Sequence, residues 1–190
     1  MKLKFTLLLF ILTSLIGFSQ NLETMKKDVQ KIYDLTIEKK YDIVLESTYP
    51  KVFEIVSKDD MKKMMYELLD NDQMKISYVR VEPNFTFSEI ITINNGKYCI
   101  VEHNNSFTIK FKEELGENKE LILENLKQTM VDYKVTIDEK TETFILDGKA
   151  QMIAISDELT KGTWKFINYN GESPMMKQVL SEEVLTKLGL

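Results

Sequence analysis

The sequence has one cysteine, one histidine and one tryptophan in 190 residues. A single thiol, Cys99, excludes an internal disulfide. One Cys with one His, His103, cannot build a structural zinc cluster. The three prolines lie apart at 50, 83 and 174, and no Pro/Gly/Ser-rich linker, internal repeat or low-complexity tract divides the chain. A Gly-rich phosphate loop and a G-x-S-x-G elbow are both missing. Asp70-Asn71-Asp72 opens like a calcium loop but lacks the central Gly and the closing Glu. No metal, nucleotide or other cofactor is expected. Basic charge is also short: 25 Lys and Arg face 30 Asp and Glu, a net charge of −5. That balance repels phosphate backbones and offers no polybasic patch to anionic lipid, so neither is an expected partner.

One apolar run stands out. Lys2 and Lys4 precede Phe5 to Ile16, and Gly17 and Ser19 hold the small-residue positions after it. This is the order of a secretory signal peptide. The run falls short of the roughly 20 apolar residues of a comfortable span. The sequence therefore predicts a signal peptide over 1–19, cut between Ser19 and Gln20, and one exported domain over 20–190 with no stable membrane insertion after cleavage. An exported domain without disulfides points to a bacterial periplasmic or extracellular protein. The acceptor-like Asn84-Phe85-Thr86 is then a chance match.

Periodicity gives the elements. Leu22, Met25, Val29 and Ile32 recur at helical steps, and Tyr41 to Val56 continues that period across Pro50, which either kinks a helix or starts a new one. Ser57 with Asp60 reads as a capping-box-like start, with Met61, Met64, Met65, Leu68 and Leu69 inward and Asp70-Asn71-Asp72 as the end. Strands over 90–93 and 97–103 flank Asn94-Asn95-Gly96, a hairpin turn. Asn104-Asn105 reads as a second turn before the alternating Phe107, Ile109 and Phe111. A helix over 117–131 follows, then strands over 133–138, 143–146, 149–156 and 163–168, with Asp147-Gly148 and Lys161-Gly162 as turns. Ser173-Pro174 and Ser181 start two short final helices. The expected fold is α+β: N-terminal helices packed on a curved, mostly antiparallel sheet, one helix inserted between strand groups, and short C-terminal helices.

Thr48-Tyr49-Pro50-Lys51-Val52-Phe53-Glu54 with Ser57-Lys58, and Trp164-Lys165-Phe166 with Ser181 to Leu185, resemble segments of small exported bacterial proteins of unknown function. In element order the chain also resembles the nuclear transport factor 2-like superfamily of cone-shaped α+β domains. It departs from that order in placing a helix at 117–131 among the strands. The resemblance implies a cone closed by helices. It does not choose between isomerases, dehydratases and binding domains.

The candidate residues are few. His103 suits general-base chemistry near neutral pH but needs a partner within hydrogen-bond reach. Cys99 shares its strand face four residues away, roughly 13 Å along a strand, so a thiolate pair needs a sharp strand bend. Tyr98, His103 and Trp164 are the ligand-binding candidates. Trp164 and Phe166 share a face, and core packing is their first expectation. The pattern favours a non-catalytic exported domain that binds a small apolar ligand or an envelope protein. The alternatives are a small hydrolase or proton-transfer enzyme using His103, and an envelope assembly factor docking through Met175, Met176, Val179 and Leu180.

Overall fold

A computed structural model of the chain describes residues 22–171 and 174–190. The predicted signal peptide, its cleavage site at Ser19 and Gln20, and Ser173 lie outside the described residues. The fold is α+β. Helix α1 (22–37), α2 (Tyr41–Glu46), a 3-10 turn (Pro50–Glu54) and α3 (Lys58–Leu69) come first. Strands β1 (Met74–Tyr78), β2 (Thr86–Phe87), β3 (Ile91–Ile93) and β4 (Gly96–Phe111) follow. After a 3-10 turn (Gly116–Asn118) come α4 (Lys119–Thr129), β5 (Tyr133–Asp138), β6 (Thr143–Ser156), β7 (Lys165–Tyr169), α5 (Pro174–Val179) and α6 (Glu182–Leu188).

The local rules hold at most ends. Met25 and Val29 of α1 are fully buried, as their spacing requires. Pro50 starts a 3-10 turn and does not kink a helix. Ser57 caps α3: its hydroxyl accepts from the Asp60 amide and donates to the Asp60 carboxylate. Asn94 and Asn95 take positive φ in the β3–β4 hairpin, and Lys161 and Gly162 do so before β7.

The sheet is open, antiparallel and built on one long pair. β4 and β6 run side by side from Lys97↔Ser156 to Lys110↔Thr143. Along the far side of β4 lie β3, β2 and β1 in turn; along the far side of β6 lie β7 and β5. The two turns expected at Asn104-Asn105 and Asp147-Gly148 are absent. Both sites lie inside strands and face each other, Asn105 opposite Gly148 and Ser106 opposite Asp147. The turn formers are used as strand residues because each finds a long-range partner. The Ser106 hydroxyl donates to Asp147 at 2.6 Å, Asn105 Nδ2 donates to the Tyr133 hydroxyl at 3.1 Å, and the Asn104 amide donates to the Pro83 carbonyl at 2.7 Å. Gly148 gives Tyr133 room to cross: a Cβ there would lie 2.5 Å from the Asp132 carbonyl oxygen.

This polar waist separates the core into parts. On one side of it, α1 lays Met25 and Val29 on Cys99, Val101, Ala154, Trp164 and Phe166. The opposite face of the same sheet end packs Ile153, Ile155 and Ile167 against Tyr49, Val52 and the final helices through Met176, Val179, Leu180 and Val184. Across the waist, Ile109, Val135, Phe144 and Leu146 meet Leu115 and the inner side of α4.

Helix α3 departs from expectation. Only Leu69 of the apolar set predicted inward is buried; Met64 is 60% and Leu68 59% exposed. The reason is a ridge on the adjacent side of the helix. Lys58, Lys62 and Tyr66, four residues apart, lock onto Glu46, Asp42 and Tyr41 of α2. That turns Met64, Met65 and Leu68 onto the helix flank, while Met61 stays half-buried against the core.

Candidate functional site

His103 sits mid-strand in β4, at the edge of the waist, not at a turn. It is half-buried, edge-on to the Tyr33 ring at 5.9 Å between centroids and against the tilted ring of Phe85 at 5.6 Å. Its Nδ1 lies 2.8 Å from the Asn104 carbonyl oxygen. A carbonyl only accepts, so Nδ1 carries the proton and donates. Burial lowers the His103 pKa below its ordinary value, against the opposing pull of that hydrogen bond, so the ring is neutral at physiological pH. The hydroxyl of Tyr33 is already engaged, donating to the Val81 carbonyl at 2.6 Å and accepting from the Val81 amide at 3.0 Å. Among the described residues, no carboxylate, hydroxyl or thiol hydrogen-bonds to His103. A base without an orienting partner or a neighbouring nucleophile lacks the constellation that proton transfer or acyl transfer needs.

The other candidates lie elsewhere. Tyr98 is on the opposite face of β4, where it packs against the Tyr49 and Ile155 cluster. Tyr49 donates to Asp157 Oδ2 at 2.6 Å, and Asp157 Oδ1 accepts from the Thr160 amide. Burial, that hydrogen bond and the Asp157 charge push the Tyr49 pKa up; burial and the same carboxylate push up Tyr98. Both phenols keep their protons, so this cluster is a polar staple between the Pro50 turn and the β6–β7 loop. Trp164 is buried with Met25 and Phe166. His103 faces Ala150 while Trp164 lies beyond the Ile155↔Lys165 pair, roughly 20 Å along the strands by the usual rise per residue. His103, Tyr98 and Trp164 do not converge on one site.

Cys99 is fully buried and donates to the Ser88 carbonyl, with burial raising its pKa. It behaves as a small apolar residue. No group of three or more His, Cys, Asp or Glu able to hold a metal occurs among the described residues. Asp70 and Asn71 are committed to the end of α3, where Asp70 pairs with Lys75 and Lys112, and Asn71 Oδ1 accepts from the Gln73 and Met74 amides. A surface depression of about 560 Å³ runs along the outer side of α1, lined by Lys26, Gln30, Lys31 and Asp34 among others. It is an open stretch of one helix's surface, not the enclosed cleft that holds a small ligand. No helix of the described residues is long and apolar enough to cross a membrane.

Sequence reading missed Tyr33, Phe85 and the Tyr49–Asp157 pair. Tyr33 is one step from Ile32 in the apolar period, but nothing local marks Asp157 as the acceptor for a hydroxyl 108 residues away. The architecture defines a helix-clad, open antiparallel α+β domain. The chain matches no family model, no curated protein and no solved structure.

Proposed function

We propose that the chain is an exported, non-catalytic binding domain that engages an envelope protein through the flank of α3. The observation that carries this reading is the pair Met64 and Leu68, one turn apart on α3 and open to solvent, with half-buried Met65 beside them as one apolar stripe. Unbranched thioethers adapt to a partner's shape at low cost. The lysines beside the stripe are neutralised by α2 carboxylates, which leaves an apolar strip suited to an apolar protein segment. The final helices do not offer a competing surface, because Met176, Val179 and Leu180 are buried. The cone-shaped likeness rests on element order, helices first and a mainly antiparallel sheet after, and does not itself choose between binding and catalysis.

The test is photo-crosslinking in the native host from a reactive residue at position 64 or 68, with exposed Leu121 on α4 as the control site. One envelope protein captured from 64 and 68 but not from 121 is the expected result. Equal labelling from all three positions removes the reading. Native mass spectrometry that finds a co-purified apolar molecule in the chain would instead favour the small-ligand version.

A further inference from the structure

The outer edge of β5 carries the inference that goes furthest. A strand edge presents unpaired N–H and C=O groups and templates another strand unless something covers it. Two of the outer strands have cover. The edge of β7 is met by the chain before Pro50: Phe166 donates to the Ser47 carbonyl and accepts from the Tyr49 amide. The edge of β1 is met by the end of α3 through the Asp70↔Lys75 bridge and the Asn71 amide on the Met74 carbonyl. Strand β5 pairs only with β6. Its first amide, Tyr133, donates to the Met130 carbonyl, and from Lys134 to Asp138 nothing among the described residues pairs with the backbone on the other side.

The side chains of this edge are self-complementary. Lys134, Thr136 and Asp138 share the face away from α4, and Val135 and Ile137 share the apolar face beneath it. Lys134 is exposed; it lies opposite Asp147 of β6, whose carboxylate is engaged by the Ser106 hydroxyl, and it makes no ion pair among the described residues. Asp138 is held ionised by the Thr141 hydroxyl and the Lys140 amide, which lower its pKa, and it makes no ion pair among the described residues. We propose that β5 pairs antiparallel with β5 of a second copy of this chain, about a two-fold axis at Thr136.

That axis places Lys134 opposite the partner's Asp138, and Asp138 opposite the partner's Lys134. It places Val135 against the partner's Ile137 on the apolar face, and Thr136 against itself. One contact made twice is the mark of an isologous interface. The register is specified as well. A slip of two residues in one direction sets Lys134 against Thr136, and in the other sets Lys134 against Lys140, so only the Thr136 axis pairs the charges. The seven-stranded sheet would then continue across the axis.

Sedimentation of the mature chain tests the pairing, and cysteine cross-linking tests the register. The expected result is a reversible dimer that Lys134→Asp weakens about tenfold or more, since symmetry makes each change act twice. Circular dichroism should match the wild type; because Lys134→Asp also sets a second carboxylate opposite Asp147 of β6, Lys134→Met serves as the companion variant and should weaken the dimer without that clash. Thr136→Cys should form a disulfide-linked dimer on mild oxidation, whereas Lys134→Cys, away from the axis, should not. Buried Cys99 stays out of the reaction. A wild type that sediments as a monomer throughout, a dimer indifferent to Lys134→Asp, or equal cross-linking at 134 and 136 overturns the proposal. None of these results bears on the α3 flank, so the two readings stand or fall separately.

Discussion

At its 152–156 end, β6 is buried on both faces; at its 143–147 end, it is buried on one. The first end has α1 on one side and the Pro50 turn with α5 and α6 on the other. The second has α4 alone, and α4 has no fully buried residue. The same strand thus changes from alternating burial, with Phe144 and Leu146 in and Asp147 out, to an unbroken buried run from Met152 to Ser156. The sequence shows the change, from Thr-Phe-Ile-Leu-Asp to Met-Ile-Ala-Ile-Ser. A strand covered on both faces reads as a continuous apolar run, and a half-covered one alternates. Stability is therefore concentrated where the helices gather. The thinner end is left with an open strand edge.

The sharpest way to break the contrast is at Trp164, which closes the doubly covered end. Trp164→Ala removes a buried aromatic and leaves a cavity, a loss of about 3–5 kcal/mol. Typical domain stability is about 5–15 kcal/mol, so the variant should melt far below the wild type or fail to fold. A thermal melt decides it, and a nearly unchanged midpoint would remove Trp164 from the core.

The waist comes next. Gly148→Ala drives a methyl against the Asp132 carbonyl and the Tyr133 ring, and backbone cannot yield as a flexible side chain does. Overpacking of this kind costs about 1–3 kcal/mol. The expected signature is local: amides of β5 should exchange with solvent faster, while those of β6 beyond Met152 change little. Uniform acceleration along both halves of β6 would show that the two ends unfold as one.

The effect at His103 is smaller and depends on pH. Its folded-state pKa lies below the unfolded value of about 6.5. Between the two, the unfolded chain binds the proton and the folded chain does not, so stability rises with pH across that window. The contribution is complete above about pH 6.5 and is lost as pH falls toward the folded value. Denaturant midpoints measured on both sides of that pH should converge more closely in His103→Phe than in the wild type. Parallel curves for the two proteins would remove His103 from the list of groups that set acid sensitivity.

These positions also show how much was legible beforehand. Signals read within a few residues were reliable: the Met25 and Val29 spacing, the Ser57 cap, and the Asn94-Asn95 hairpin all depend on near neighbours. The same local vocabulary misled at Asn104-Asn105 and Asp147-Gly148. There the competing partners, Pro83, Tyr133 and the facing strand, are distant in sequence. The Met stripe of α3 misled for a related reason, since spacing names an apolar stripe but not whether another element covers it. Among the site candidates, His103 could be singled out as the one imidazole. Its engagement with a backbone carbonyl, and the separation of Tyr98 from it across the sheet, follow from strand register and are not written in local sequence.

The mildest test compares the two faces of the thick end through the helices that cover them. α1 and α6 finish in the same way. In α1, Lys40 donates to the Leu35 carbonyl and Lys39 to the Thr36 carbonyl; in α6, Leu190 donates to Leu185 and Gly189 to Thr186. Both are Schellman endings, which need one residue in the left-handed region. α6 uses Gly189, with φ of 78°, whereas α1 uses Lys39, with φ of 60°. A non-glycine residue there costs about 1–2 kcal/mol because Cβ crowds the following carbonyl. Glycine removes that cost but adds about 0.4–1 kcal/mol of unfolded-chain entropy. The difference leaves Lys39→Gly slightly stabilising, by about 1 kcal/mol or less. Lys39 is exposed and makes no ion pair among the described residues, so little else changes with it. The reciprocal Gly189→Lys should lose about the amount that Lys39→Gly gains. Denaturant midpoints of the two variants, read against the wild type, should move in opposite directions. A destabilised Lys39→Gly would mean that the lysine side chain contributes packing on α1 that outweighs its backbone strain.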